Sequence, residues 1–385
     1  MSLKSLLNNG CAKHILLSTN LSAAAEMMTP IYTPRMSRPS VMASVAKRWA
    51  WMLSDPENVG TRQQHINFDT LGTWDNRIDF NLLLKPSIKH GKPIPKISTE
   101  NVGFASALGR RTTNEDIYNV TEINTDLLYF AVFDGHGGQA CVQYCNENMI
   151  NHIKYWLERQ EKDLQLILEK AFIEVNNSFA RFVTYNPFVE TKNSFSGTTA
   201  TVCLLRNGIE LVVGHCGDSR ALLCRNGQVM RLTNDHNANV KAEKERIVKS
   251  HGFIKNDSLG VGLVNGRLAM TRSIGDLDLK PYGVIALPDT RSIEIKHGKD
   301  AFVILTTDGI NYVMSDQEVV DAVQSCGQPS EAAQFVTDQA LHYACQDNAT
   351  ALVVPFGAWG KYKNHRNSYN QFYNFGRELS NSTRF

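Results

Sequence analysis

The sequence predicts an α+β fold in which an antiparallel β-sandwich is flanked by helices. Three observations predict it. Two pairs of β-rich apolar runs are joined by Asn207-Gly208 and by Asn226-Gly227, and both residues of Asn-Gly accept the positive φ of a type I′ hairpin turn. Further apolar runs at 127–133, 301–305 and 349–356 have the length of buried strands. Between these groups, apolar residues recur at spacings of three and four, the signature of a helix with one buried face.

Taken along the chain, the first strand is Leu127 to Phe133, stopped by the turn residues Asp134-Gly135. A helix follows Gly138, with Val142, Cys145, Met149, Ile153 and Trp156 on one side. A second carries Leu164, Leu168, Phe172, Val175, Phe179 and Phe182. The hairpins are 199–205 with 209–213, and 221–224 with 229–232. Two more strands are expected at 301–305 and 349–356. Between them, Ser315-Asp316-Gln317-Glu318 forms a capping box that opens a helix to about Gln324, and Ser330 is expected to cap another to about Cys345. The total is four or five helices with no solenoid repeat.

The composition, 42% hydrophobic and 20% charged, supports a sizeable core and excludes a disordered or collagen-like chain. A net charge of +2 gives no ground for a nucleic-acid surface. That balance is uneven. Residues 1–53 hold six basic side chains (Lys4, Lys13, Arg35, Arg38, Lys47, Arg48) and the single acid Glu26. This Ser-, Met- and Ala-rich stretch has the composition of an organelle transit peptide, with a basic tail lacking any address as the alternative. No run approaches a transmembrane segment. The expected organisation is a leader over 1–53, an irregular lead-in over 54–96, one main domain over 97–358 and a flexible tail over 359–385. The eight cysteines show no CxxC pair and are expected to be buried thiols.

The chemistry-bearing feature is a series of aspartates placed where apolar strands finish. Asp134, Asp218 and Asp308 follow such runs, and Asp347 precedes the last. A single Asp-Gly is ordinary turn chemistry. Several acids gathered at neighbouring strand ends would repel one another unless a cation neutralised them, and all-oxygen ligation selects hard metals such as Mg²⁺ or Mn²⁺. Glu115-Asp116 adds an acidic pair, and Arg110-Arg111 supplies guanidinium groups suited to a phosphate ester.

The ordered series Arg111-Thr-Thr-Asn-Glu115-Asp116, Asp134-Gly-His-Gly-Gly138, Ser196-Gly-Thr-Thr-Ala200, Cys216-Gly-Asp-Ser-Arg220, Thr271-Arg-Ser-Ile-Gly-Asp276, Thr307-Asp-Gly309 and Asp347-Asn348 resembles the motifs of the metal-dependent (PPM, type 2C) protein serine/threonine phosphatases. The resemblance implies that family's fold, a four-layer α-β-β-α sandwich. It implies a centre of two Mg²⁺ or Mn²⁺ ions bridged by Asp134. Asp308 and Asp347 would complete one ion and the Gly135 carbonyl would help hold the other. Glu115 and Asp116 would orient metal waters, and Asp218 would serve a weaker third position. Arg111 would bind the substrate phosphate and His136 would protonate the leaving oxygen. Without the flanking motifs, His136 reads as a turn residue and Arg111 as a solvated cation, with Arg110 beside it. His215 and His236 are expected to be structural.

The implied partner is a phosphoprotein, with no nucleic acid. Trp74-Asp-Asn-Arg-Ile-Asp79, 86–96, Asp308-Gly-Ile-Asn311 and 355–363 resemble the mitochondrial matrix branch of that family that acts on the branched-chain α-keto acid dehydrogenase complex, which implies a mitochondrial transit peptide over 1–53 and a matrix location. Two other readings stay open, a phosphatase-like scaffold and a hydrolase of small phosphate esters. The chain departs from the family pattern at Asn311-Tyr312, where Trp is frequent, at Gln346, where Arg is frequent, and after Asp235-His236, where a proline is missing. The neighbouring flap, about 237–266, is where substrate preference is expected to differ.

Overall fold

A computed structural model of the chain describes residues 78, 80–186 and 195–363. The expected leader, most of the lead-in and the tail beyond 363 lie outside the described residues.

In chain order the elements are helix α1 (Leu84–His90), β1 (Gly103–Ala107), β2 (Asp116–Asn124), β3 (Leu127–His136), α2 (Ala140–Glu158), α3 (Leu164–Tyr185), β4 (Gly197–Thr198), β5 (Ala200–Arg206), β6 (Glu210–Cys216), β7 (Arg220–Arg225) and β8 (Gln228–Arg231). They continue with α4 (Lys241–Lys249), β9 (Ile254–Asn256), β10 (Gly262–Val264), β11 (Ile274–Gly275), β12 (Asp289–Glu294), β13 (Asp300–Thr306), α5 (Asp308–Asn311), α6 (Asp316–Ser325), α7 (Pro329–His342) and β14 (Ala349–Pro355). One sheet has the order β1-β14-β13-β7-β8; the other runs β11-β4-β3-β5-β6-β12, with β2 on the free side of β3. The pairings between neighbouring strands are antiparallel, as expected from consecutive hairpins.

Both faces of each sheet are covered, which explains why the strands read as continuous apolar runs. Side chains alternate along β3: Tyr129, Ala131 and Phe133 pack with α2 and α3, while Phe130 and Val132 enter the core shared with the second sheet. On the far side, Val319, Val320, Val323, Ala332, Ala333 and Val336 of α6 and α7 cover that second sheet. The result is the four-layer sandwich. Seven described cysteines are buried and unpaired, consistent with their reading as small apolar groups.

The Asn-Gly turns form as the sequence dictates: Asn207, Gly208, Asn226 and Gly227 all have positive φ, at 54°, 67°, 55° and 78°. The Ser315 capping box is complete. Three boundaries differ from expectation. Ser330 lies inside α7, whose first position is Pro329, because a proline already fixes φ there and needs no N–H partner. The lead-in holds the short helix α1, ended by Gly91 in the left-handed region, with Ser87 Oγ accepting the Ile94 N–H at 2.9 Å. The domain also extends past 358. Trp359 is only 2% exposed, lies edge-on to Phe302 and donates its indole N–H to Gly327 O at 3.1 Å.

Trp359→Ala is therefore expected to destabilise the domain by about 3–5 kcal/mol, the usual cost of emptying a buried aromatic site. Urea unfolding checks this, and a loss below about 1 kcal/mol would place Trp359 outside the folded unit.

Candidate active site

The acidic residues meet at one end of the sandwich, where both sheets deliver their strand ends. Asp134 lies within β3, since the strand runs on to His136, and stands directly opposite Asp116 of β2 in the register. Asp308 follows the end of β13 and opens α5; Asp218 sits in the turn between β6 and β7; Asp347 precedes β14. Burial and these neighbours act together. Asp134 is pushed well above the usual carboxylate range by burial and then by Asp308, Asp116, Asp218 and Asp347. Asp308 is raised likewise, by burial and then by Asp218, Asp347 and Asp116. Asp116 and Asp218 are pushed up to about 6, mainly by burial.

The backbone holds these acids in place from several motifs at once. Asp134 donates its N–H to Thr199 Oγ1 at 3.1 Å, and its carbonyl accepts from Thr199 N at 2.9 Å. The Thr199 hydroxyl continues to Ser219 Oγ at 2.8 Å, which ties β5 to the Asp218 turn. His215 and His236 support the same turn and are structural, as expected: His236 Nδ1 accepts the Gly217 N–H, and the two rings stack. Asp116 accepts from Thr307 Oγ1 at 2.9 Å. Gly309 and Gly135 are required by space, for a Cβ there would stand 2.1 Å from Asn348 O and 2.7 Å from Glu115 O respectively.

The residues expected to meet phosphate divide. Arg111, not Arg110, turns to the acidic cluster and donates from Nη2 to Asp347 Oδ2 at 2.6 Å. Its side chain remains 60% exposed, so it can reach an incoming ligand. Glu115 stands at the margin, accepting the Gly138 N–H at 3.4 Å and so fixing the loop behind His136. His136 is held by Asp276, whose two carboxylate oxygens lie 2.9 and 3.1 Å from Nε2. Burial pulls the imidazole pKa down, but Asp276 outweighs it and the net shift is upward.

Two functional residues escaped the sequence reading although both lie within motifs it quoted. One is Asp276. The other is Asn348, which accepts the Glu115 N–H at 2.9 Å and donates to Leu108 O and Thr113 O, clamping the Arg111–Asp116 segment to the start of β14.

The donor set suits hard cations. It is all oxygen, and Asp116 Oδ1 and Asp218 Oδ1 are buried atoms without a hydrogen-bond partner. Among the described residues, no three His, Cys, Asp or Glu side chains converge into a ready-made ligand cluster. The carboxylates are thus near enough to raise one another's pKa without being closed on a common point.

Comparisons with known proteins agree with this geometry. The family model described as Protein phosphatase 2C matches residues 106–349. A Xenopus laevis protein named "Protein phosphatase 1K, mitochondrial" is 50% identical over 318 residues, 83% of each chain. "Protein phosphatase 2C homolog 1" of Saccharomyces cerevisiae is 32% identical over 264 residues, covering 63% of this chain and 88% of that protein. Among solved structures, a serine-threonine phosphatase 2C from Toxoplasma gondii shares the fold with a TM-score of 0.59 at 22% identity, over 66% of this chain and 94% of that one.

The raised carboxylates fix the sign of a pH effect in metal-free protein. A folded-state pKa near 6 against an ordinary 3.8 means that the folded state binds protons more tightly, so stability is lost as pH rises through about 6. Chelator-treated protein is expected to melt higher at pH 5.5 than at pH 7.5. Asp218→Asn should stabilise it at pH 7.5 by about 1–3 kcal/mol, at roughly 1.4 kcal/mol per pKa unit. Glu243, despite its burial, is held down to about 2 by Arg246, Arg272 and Thr271 and works in the opposite direction below this window. His215 and His297, pulled down by burial to about 3 and about 4, oppose the trend within it, because the unfolded state takes up their protons below about 6.5. Asp218→Asn no more stable than wild type at pH 7.5 would refute the mutual repulsion.

Proposed function

Because the chain belongs to the protein phosphatase 2C family, and so is a serine/threonine phosphatase acting on phosphoproteins, we propose that it hydrolyses phosphoserine and phosphothreonine with two Mg²⁺ or Mn²⁺ ions at the strand-end acids. The observation that carries this reading is the approach of Asp308, Asp116, Asp218 and Asp347 to Asp134, near enough to raise its pKa, with Arg111 held beside Asp347. The family is metal-dependent in general, and the residues here fit that requirement. Asp134, Asp308, Asp347 and the Gly135 carbonyl would hold the two ions. Glu115 and Asp116 would orient their waters, and Asp218 would serve a weaker third position. When bound, such ions make water nucleophilic at neutral pH and screen the phosphoryl oxygens.

The chain's own groups supply the remainder. Arg111 turns its guanidinium from Asp347 to the phosphate, where its paired donors match two phosphoryl oxygens. His136 donates a proton to the departing Ser or Thr oxygen, a role suited to an imidazole because its ordinary pKa of about 6.5 lies near working pH.

The proposed substrate is the branched-chain α-keto acid dehydrogenase complex of the mitochondrial matrix. Support comes from the 50% identical relative, whose name places that protein in mitochondria, from the segments around Trp74, 86–96 and 355–363, and from the basic composition of residues 1–53. No helix among the described residues is long and apolar enough to cross a membrane.

Purified protein with Mn²⁺ should release phosphate from the phosphorylated E1 component of that complex. Asp308→Asn should lower turnover by at least about 10³-fold while far-ultraviolet circular dichroism stays unchanged. Activity that survives both chelation and Asp308→Asn would sink the metal mechanism. Residues 1–50 fused to a fluorescent protein should carry it into mitochondria, and a diffuse cytosolic signal would refute import.

A further inference from the structure

We infer that Asp276 is the positioning residue of the reaction: it grips His136 through Nε2 and thereby makes Nδ1 the atom that gives its proton to the leaving oxygen. The inference rests on the reading of His136 as the acid of a metal-dependent phosphatase. Its own support is geometric.

His136 and Asp276 lie 140 residues apart and meet across the narrow end of one sheet. There β4 is paired on one side with β3 and on the other with β11, so that His136 stands opposite Gly197 and Gly197 opposite Gly275. Gly197 is the spacer that allows the meeting. A Cβ built on it would stand 2.2 Å from Asp276 Oδ2 and 2.5 Å from His136 Nε2, closer than any real contact. The glycine of Ser196-Gly-Thr-Thr-Ala200 thereby gains a physical reason. The carboxylate and the imidazole pass over the bare backbone of the strand between them.

Asp276 is built to hold still. It is 2% exposed, and its backbone takes φ of 46°, uncommon for a residue with a side chain. Its N–H donates to Ser196 O at 3.0 Å, and its carbonyl accepts from Leu279 N and Lys280 N, which starts the next turn. Ser273 Oγ donates to Oδ2 at 2.5 Å, and the buried Lys280 ammonium donates to Ser273 O at 2.8 Å. A residue in a strained conformation with this many restraints marks a site where orientation matters.

The consequence for His136 concerns which nitrogen does the work. Asp276 accepts the Nε2 proton. Nδ1 is buried and has no hydrogen-bond partner, so it is the nitrogen left for substrate. In the reaction, a water oxygen forms the new bond to phosphorus while the bond from phosphorus to the Ser or Thr oxygen breaks. The electron pair of that bond stays with the departing oxygen, which takes the Nδ1 proton and leaves as an alcohol; the Nε2 proton remains against Asp276. The arrangement follows the general logic of an imidazole oriented by a buried carboxylate.

The test compares full-length wild type, Asp276→Asn and Gly197→Ala, loaded with Mn²⁺, on p-nitrophenyl phosphate and on a phosphothreonine peptide. A nitrophenolate leaves with little help, whereas an alkoxide needs the proton. Both variants are expected to lower kcat on the peptide by about 10- to 100-fold with KM within about 3-fold, and to lower kcat on p-nitrophenyl phosphate by no more than about 3-fold. In Mg²⁺-loaded, ¹⁵N-histidine-labelled wild type, His136 should show a hydrogen-bonded Nε2–H that Asp276→Asn removes. Equal losses on both substrates, no loss on the peptide, or an unprotonated Nε2 in wild type would each overturn the inference. Wild type inactive on every substrate would instead sink the metal-dependent reading, and the spectrum would still decide whether Asp276 holds His136.

Discussion

The structure depends on a repulsion. Asp116 and Asp134 face each other on adjacent antiparallel strands, where like charges are normally destabilising, and Asp308 and Asp218 arrive beside them from other strands. At a separation of about 4 Å and an effective dielectric of about 20, each such pair would cost on the order of 4 kcal/mol if both were charged. An apolar sandwich on this scale can carry that load. Tyr129, Phe130 and Phe133 of β3 and Phe302 of β13 are fully buried along the strands that carry Asp134 and lead to Asp308, Phe356 is fully buried just past β14, and their burial anchors the strands that bring the carboxylates together. Protons, the Arg111 guanidinium or bound cations can each relieve the repulsion, and these three remedies compete for the same oxygens. That competition connects the stability of the domain to its chemistry.

The surrounding hydrogen bonds keep the acids from moving apart. Thr199, Thr307 and Asn348 together link β3, β5, β13 and β14 to the Arg111–Asp116 segment. None of these residues is charged. Their contribution is to fix where charge is placed, which is the condition under which an electrostatic site works without reorganising. Asn311 extends this network: it accepts from Thr306 Oγ1 at 2.7 Å and donates to Asp218 O at 3.3 Å. The departure from the family's frequent pattern at 311 and 312 therefore adds a support beneath Asp218. At the neighbouring position, Tyr312 is 66% exposed, so the chain presents a phenol to solvent at the edge of the acidic locus.

How far the sequence could be read follows from the range of each interaction. The Asn-Gly turns, the capping box at Ser315 and the stripes of α2 and α3 are local, and all were legible. β2, β12 and α4 were not. β2 and β12 alternate only weakly and are partly exposed along their lengths, and α4 (KAEKERIVK) buries only Glu243 and Ile247. Such segments carry no apolar run from which to infer them. Asp134, Asp218, Asp308 and Asp347 were legible because each borders a strong strand signal, whereas Glu115 and Asp116 stood out only as an acidic pair within the motif series. Asp276 and Asn348 appeared in the motif series without a role, because their partners lie 140 and 233 residues away and nothing in local periodicity reports such a contact.

A shared sandwich does not by itself supply a phosphatase. The Toxoplasma structure keeps the architecture at 22% identity, so the fold persists where most residues differ; cores in general accept hydrophobic exchange when volume and patterning are kept. What cannot be exchanged freely are positions where two backbones or side chains meet without room. Gly309 against Asn348 O, Gly135 against Glu115 O and Gly197 beneath the His136–Asp276 pair are such positions, and all three lie in the motif series. The recurring glycines of the sequence are thus the steric counterpart of its recurring aspartates. Each lets chain segments remote in sequence approach closely enough for a carboxylate or an imidazole to be held against its neighbours.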